Sequence, residues 1–410
     1  MLIRGCHGAL LALAAVSALA QIPLTHPAIG YNTATFTDPV GELSRQIEQG
    51  KVHLDFDPEK GYLPAALKAL HIPVESQMAV FSKTSVQAMR IEPTNPRVLF
   101  FNDAVIAGWV RGGFVEFASQ DPRLGIVFYR LDQRPTAYAK RVAATTPESP
   151  FSRRDDCLHC HMTPATLSVP GVLLRSVFPS AAGVPLPHSP QYDTDDRVPF
   201  EKLWGGWYVT GDSGAARHMG NLIASDDAHP DAMLRDAPAH LDSLETKCGA
   251  NTRLTPYSDV VALMVFEHQV RMMNLITRAG WESRVALAEG HALNARARTA
   301  VNELVDYMLF VDEAPLQGNI AGTSGFAEEF SARGPRDAKG RSLRDLSLKG
   351  RLMRYPCSYM IYSDAFDALP APVKTAVYVR MSRVLATRNE ADRRAIIEIL
   401  RDTKPDFPAR

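Results

Sequence analysis

In the first third of the chain, apolar residues come in short β-branched and aromatic runs separated by turn formers. Val98-Leu99-Phe100-Phe101, residues 105–110 and Phe114-Val115-Glu116-Phe117 are punctuated by Asn102-Asp103 and Gly112-Gly113. A fourth run, 124–131, follows Asp121-Pro122. Such residues suit a pleated, buried surface, so the four runs predict a small antiparallel meander. Upstream, 39–49 and 63–70 predict short helices.

From 150 to about 250 the periodicity fades, and Pro, Gly, Ser and Asp become frequent. So long an irregular stretch inside a compact protein is usually functional. From Tyr257 the pattern turns helical: Val261, Met264, His268, Met272 and Leu275 recur at spacings of three and four, which places them on one helix face. Residues 285–310 predict another helix, with Leu304, Tyr307 and Met308 on one side. Residues 312–334, with Pro315, Gly318, Gly322 and Gly325, predict a loop. The tail, 372–401, predicts further helices with Val377, Val379, Met381, Val384 and Leu385 apolar. The expected class is α+β: a β-containing part over 21–150, a loop-rich part over 151–250 that holds a cofactor, and a mainly helical part over 251–410.

The N-terminus alters the setting. Arg4 precedes an apolar run over 9–20 that ends in Ala18-Leu19-Ala20, followed by Gln21. A basic start, a short apolar core and small residues at the cut read as a cleavable signal peptide over 1–20, with cleavage after Ala20 and export to the periplasm or beyond. A buried N-terminal helix is the alternative. No later stretch is long and apolar enough to anchor the chain in a membrane. Apolar residues make up 46% of the chain, enough for a substantial core, and 45 basic residues balance 45 acidic ones. That balance, with no basic stripe, argues against nucleic acid as a partner.

Of five cysteines, Cys6 would leave with the leader. Cys248 and Cys357 are isolated. In an oxidising compartment they are candidates for a disulfide, or else two buried free thiols, and sequence separation does not choose between these. Cys157-Leu158-His159-Cys160-His161 is different: it matches C-x-x-C-H, the attachment signature of c-type haem. One tight helical turn brings two thiols three residues apart to one side, where they can bond the two vinyl groups of a haem. The next residue then offers its imidazole to the iron. A structural zinc site would need two further ligands, and no second C-x-x-C or H-x-x-x-H follows at finger spacing. A thioredoxin-like pair would want a βαβ context, which is not present.

The motif resembles that of the cytochrome c superfamily. Wider blocks resemble large bacterial proteins that hold a single cytochrome c motif. These blocks are 109–113 (Trp-Val-Arg-Gly-Gly), 157–177 with Pro170-Gly171 and Arg175-Ser176-Val177, 205–211 leading to His218-Met219-Gly220-Asn221, and Pro356-Cys357-Ser358-Tyr359. The resemblance implies one covalent haem c, with Cys157 and Cys160 as thioether sites and His161 as iron ligand. The chain departs from a small soluble cytochrome c, whose domain has roughly a hundred residues.

Electron carriers usually fill the second axial position with Met or His. His218 and Met219 lie in a Gly-flanked loop, and His268 lies on the predicted apolar helix face; all three are candidates, against the plainer reading of core packing. Trp204, Trp207 and Tyr208 are candidate walls of the cofactor site or simply packed aromatics. Arg175 is a candidate partner for a haem propionate, since guanidinium matches carboxylate geometry, or else a solvated surface residue. His159, His188, His229 and His240 read as surface histidines. The expected function is electron transfer with a redox partner protein. The alternative is a haem-dependent oxidoreductase, peroxidase-like, with an open or labile distal iron position.

Overall fold

The computed structural model describes residues 21–133, 151–225 and 240–408. Helix α1 (Pro39–Glu48) starts where expected, because the Asp38 side chain accepts the Val40 and Gly41 amides and Pro39 presets the first turn. It buries Val40, Leu43 and Ile47. Helix α2 (Leu63–Ala69) follows and buries Leu63, Ala66 and Leu67.

The predicted meander forms. Strands β1 (Met78–Val80), β2 (Arg97–Phe101), β3 (Val105–Trp109), β4 (Val115–Asp121) and β5 (Gly125–Leu131) pair antiparallel in sequence order. The middle of the chain supplies both edges of the sheet. β6 (Phe151–Arg153) pairs with β5, and β9 (Trp207–Tyr208) pairs with β1. Between these two edge strands in sequence lies a small hairpin of β7 (Leu174–Ser176) and β8 (Tyr192–Thr194).

Both faces of the sheet are covered, which is why its strands read as continuous apolar runs and not as an alternation. Val98, Phe100, Ala107, Phe117 and Val127 pack with α1 and α2. Leu99, Phe101, Ile106, Ala118, Ile126 and Phe128 belong to the larger core, which is shared with the C-terminal helices.

At the centre of that core runs α4 (Val260–Ala288), capped by Asp259, whose side chain accepts the Val261 and Ala262 amides. The sequence predicts one buried face. The helix is instead buried around almost its whole circumference, from Val260 to Ser283 with Arg271 as the gap. A helix enclosed on all sides need not be amphipathic, so its apolar spacing says little about which side meets what. The predicted 285–310 helix is two elements. α4 ends at Ala288, Gly290 turns at φ 81°, and α5 (Ala295–Met308) begins after Asn294, whose side chain accepts the Ala297 amide. Within the predicted 312–334 loop, Gly325 at φ 82° starts a short helix, α6 (Phe326–Ala332). Helices α7 (Ala371–Leu385) and α8 (Glu390–Thr403) complete the tail.

Cys248 and Cys357 are both free and both buried, in separate parts of the core, so they are not bridged. Burial pushes the Cys357 thiol up to about 12. Among the described residues, no helix is long and apolar enough to cross a membrane. The leader read over 1–20 lies outside the described residues.

Candidate cofactor-attachment site

Asp155 to Cys157 form one 3-10 turn, which leads directly into the single helical turn α3 (Leu158–His161). Three- and four-residue spacing puts Cys157, Cys160 and His161 on one side of this turn. Leu158 and Met162 point the other way and are buried in the main core. They root the turn while both thiols stay accessible. Cys157 is half-buried, Cys160 is exposed, and both are free. Burial, aided by the Asp156 carboxylate, pushes the Cys157 thiol up to about 11, so it is protonated at neutral pH. A redox-exchange cysteine needs the opposite shift, toward thiolate. Among the described residues, no three His, Cys, Asp or Glu side chains converge as a metal site would require. Both alternatives to haem lose ground on this chemistry. Haem attachment does not, since it asks for two thiols and one imidazole.

His161 is held in a defined state. Its Nδ1 lies 3.0 Å from the Gly171 carbonyl oxygen. A carbonyl only accepts, so Nδ1 carries the proton and the Nε2 lone pair is left free. Burial lowers the affinity of the ring for a second proton, and a metal-binding imidazole must be neutral. Phe128 of β5 packs against the ring with centroids 4.8 Å apart.

The segment 170–172 that supplies this carbonyl is fastened at three points. The Pro170 oxygen accepts the Ile126 amide of β5 at 3.0 Å, and the Gly171 amide donates to the His161 oxygen at 2.9 Å. The third point is Asn274 of α4: its Oδ1 accepts the Val172 amide at 3.1 Å, and its Nδ2 donates to the Val172 oxygen at 2.7 Å. Position 171 must be glycine, because a Cβ there would sit 2.3 Å from Asn274 Oδ1. Sequence reasoning missed Asn274. Its one signal was an amide set directly between Met273 and Leu275.

Arg175 lies on β7, exposed, 3.2 Å from Asp193 of β8, and its charge is felt at His161. Two further charges near the motif were also missed. Arg97 and Glu116 face each other at 3.6 Å, and both act on His161 electrostatically. By register Glu116 stands on the Ala118 and Phe128 face of the sheet. Its Oε1 also accepts from Ser85 Oγ at 3.0 Å and Gln87 Nε2 at 2.8 Å.

The candidate axial ligands have partners of their own. His268 is fully buried, with Nδ1 2.8 Å from the Asp196 carboxylate and Nε2 2.7 Å from Ser358 Oγ. Phe310 and Tyr307 stack on it with centroids 4.3 and 5.2 Å away. Neither of its nitrogens is free for a metal. His218 is buried against Trp204, 5.3 Å between centroids, with no partner for Nδ1; desolvation brings it down to about 4. Met219 is buried with Phe178 and Leu222, and Ser176 Oγ approaches its Sδ at 3.5 Å. Among the described residues, no hydrogen bond or ring contact joins His218 or His268 to the motif. Of the candidate wall residues, Trp207 bonds to β7: its indole N–H donates to the Arg175 oxygen at 3.1 Å. Tyr208 instead bonds the Pro93 oxygen and packs on the opposite face of the sheet. His159, His188 and His240 are exposed as expected, and His229 lies outside the described residues.

Comparison with known families, curated proteins and solved structures finds no match.

Proposed function

We propose that this chain carries one haem c, attached through Cys157 and Cys160 with His161 on the iron, and that it is an exported protein that passes electrons to or from a partner protein. The observation that carries the reading is the bond from His161 Nδ1 to the Gly171 carbonyl, which leaves Nε2 as the free, neutral ligand nitrogen. The two free thiols on the same side of α3 fit addition across vinyl groups. When bound, the haem supplies reversible one-electron exchange at iron. The residues around it do the rest. Leu158 and Met162 hold the turn rigid against the core, and Phe128 fixes the imidazole plane. Arg175, the exposed residue of β7, is the candidate partner for a carboxylate at the cofactor's edge.

A second reading, an oxidoreductase acting on a small oxidant such as peroxide, draws on one observation. His268 spends both nitrogens in the core, so the histidine expected on the predicted helix face is not free to close a distal position. Ferric absorption spectra separate the two readings. A low-spin spectrum indifferent to cyanide and peroxide supports the carrier, and a spectrum that shifts with either supports the enzyme.

The primary test is intact mass after expression in a host that matures c-type cytochromes. The expected result is the chain plus one haem, retained in denaturant. An apoprotein mass would sink the proposal.

A further inference from the structure

We infer that Asn274 is a positioning residue for His161, acting through the peptide group that joins Gly171 to Val172; this rests on the haem reading above. That peptide is engaged at both ends. Its carbonyl oxygen, on Gly171, accepts from His161 Nδ1 at 3.0 Å, and its N–H, on Val172, donates to Asn274 Oδ1 at 3.1 Å. In a trans peptide the C=O and N–H point in opposite directions, so the plane lies between histidine and asparagine as one link of a chain. Hydrogen bonds in such a chain polarise one another. An acceptor on the Val172 N–H pushes electron density toward the Gly171 oxygen. That oxygen then pulls harder on the Nδ1 proton, and Nε2 becomes a stronger donor to iron.

Asn274 has no other visible task. It is 2% exposed on the central helix, and both ends of its amide are spent on Val172. A buried amide is costly unless bonded, so its presence there calls for a reason. The Nδ2 bond to the Val172 oxygen at 2.7 Å fixes which way the amide faces, and so keeps Oδ1 on the Val172 N–H. The bare Cα of Gly171 is what lets Asn274 come this close.

The sign of the effect follows. A more electron-rich His161 favours ferric iron, so removing the acceptor raises the reduction potential. The experiment compares N274A and N274D with the wild-type holoprotein, with midpoint potentials taken at matched haem content. N274A is expected to raise the potential. N274D, which keeps an acceptor on the Val172 N–H and makes it anionic, is expected to lower it. A loop that is merely loosened would move both variants the same way, along with a lower Tm. Equal potentials for wild type and N274A, with only the Tm reduced, would overturn the inference and leave Asn274 a structural clamp. If N274A does not fold, the His161 Nδ1 proton resonance of N274D decides: a downfield move supports the inference and an unmoved resonance overturns it. A wild-type protein that carries no haem overturns the haem reading and this inference together, whereas haem present with unmoved readouts overturns this inference alone.

Discussion

His161 and His268 begin alike and end differently. Each has Nδ1 on an oxygen and an aromatic ring against its face. At His161 the oxygen belongs to a backbone carbonyl in a short latched loop, and Nε2 keeps its lone pair. At His268 the Asp196 carboxylate accepts from Nδ1 and the Ser358 hydroxyl occupies Nε2. What makes a histidine available to a metal is the fate of its second nitrogen. Burial and helix position, the features visible in sequence, do not decide it.

The most decisive way to break this comparison is at the motif. H161A should abolish stable axial ligation, and C157A with C160A should abolish covalent attachment altogether, read as loss of the haem-bearing mass. H268A should do neither. It removes a ring stacked between Tyr307 and Phe310 and leaves Asp196 and Ser358 without their partner, at a cost of about 3 kcal/mol in denaturant unfolding. The haem spectrum of folded H268A should match wild type. A changed axial signature in H268A would show that His268 reaches the iron after all.

That asymmetry also shows what a sequence can reveal. The pentapeptide is local, as are the turn residues that bound β2 to β5, and both were legible. Asp196 and Ser358 lie 72 and 90 residues from His268, and Asn274 lies 102 from Val172. Nothing in periodicity foretells such pairings. The apolar spacing through His268 was real, but on a helix buried all round it carried no information about direction. Arg97 and Glu116 were hidden for a related reason. They sit on neighbouring sheet positions brought together by register, with Gly108 leaving room between them for the arginine side chain.

A smaller effect sharpens the His161 side. G171A places a methyl against Asn274 Oδ1, with the Thr166 side chain close behind. Overpacking of this kind costs about 2 kcal/mol. The loss should come with a shifted haem spectrum, because the displaced atom accepts the Val172 N–H of the same peptide group whose carbonyl orients His161. G112A, at a glycine with open space around it but φ 81°, serves as the control: some strain, and no change in the spectrum. An unshifted G171A spectrum at reduced stability would separate the latch from the ligand.

His218 supplies the finest test, since it is buried like His268 but has no partner on Nδ1. Burial holds it near 4 in the folded chain, below the roughly 6.5 of an unfolded histidine. Between these values the unfolded state binds the extra proton, so stability is complete above about pH 6.5 and falls as pH drops toward 4. At pH 5.5 the loss amounts to roughly 1 kcal/mol. H218L should flatten this acid limb in unfolding measured from pH 7 to pH 4.5. The same experiment on haem-loaded and haem-free protein asks whether His218 is an axial ligand. A nitrogen bound to iron takes up no proton in the folded state, so in unfolding carried on to pH 3 ligation would let the limb of the loaded protein continue below pH 4, where that of the haem-free protein levels off. Identical limbs in both forms would leave His218 as a desolvated core residue, the counterpart of His268 without its Asp196 and Ser358.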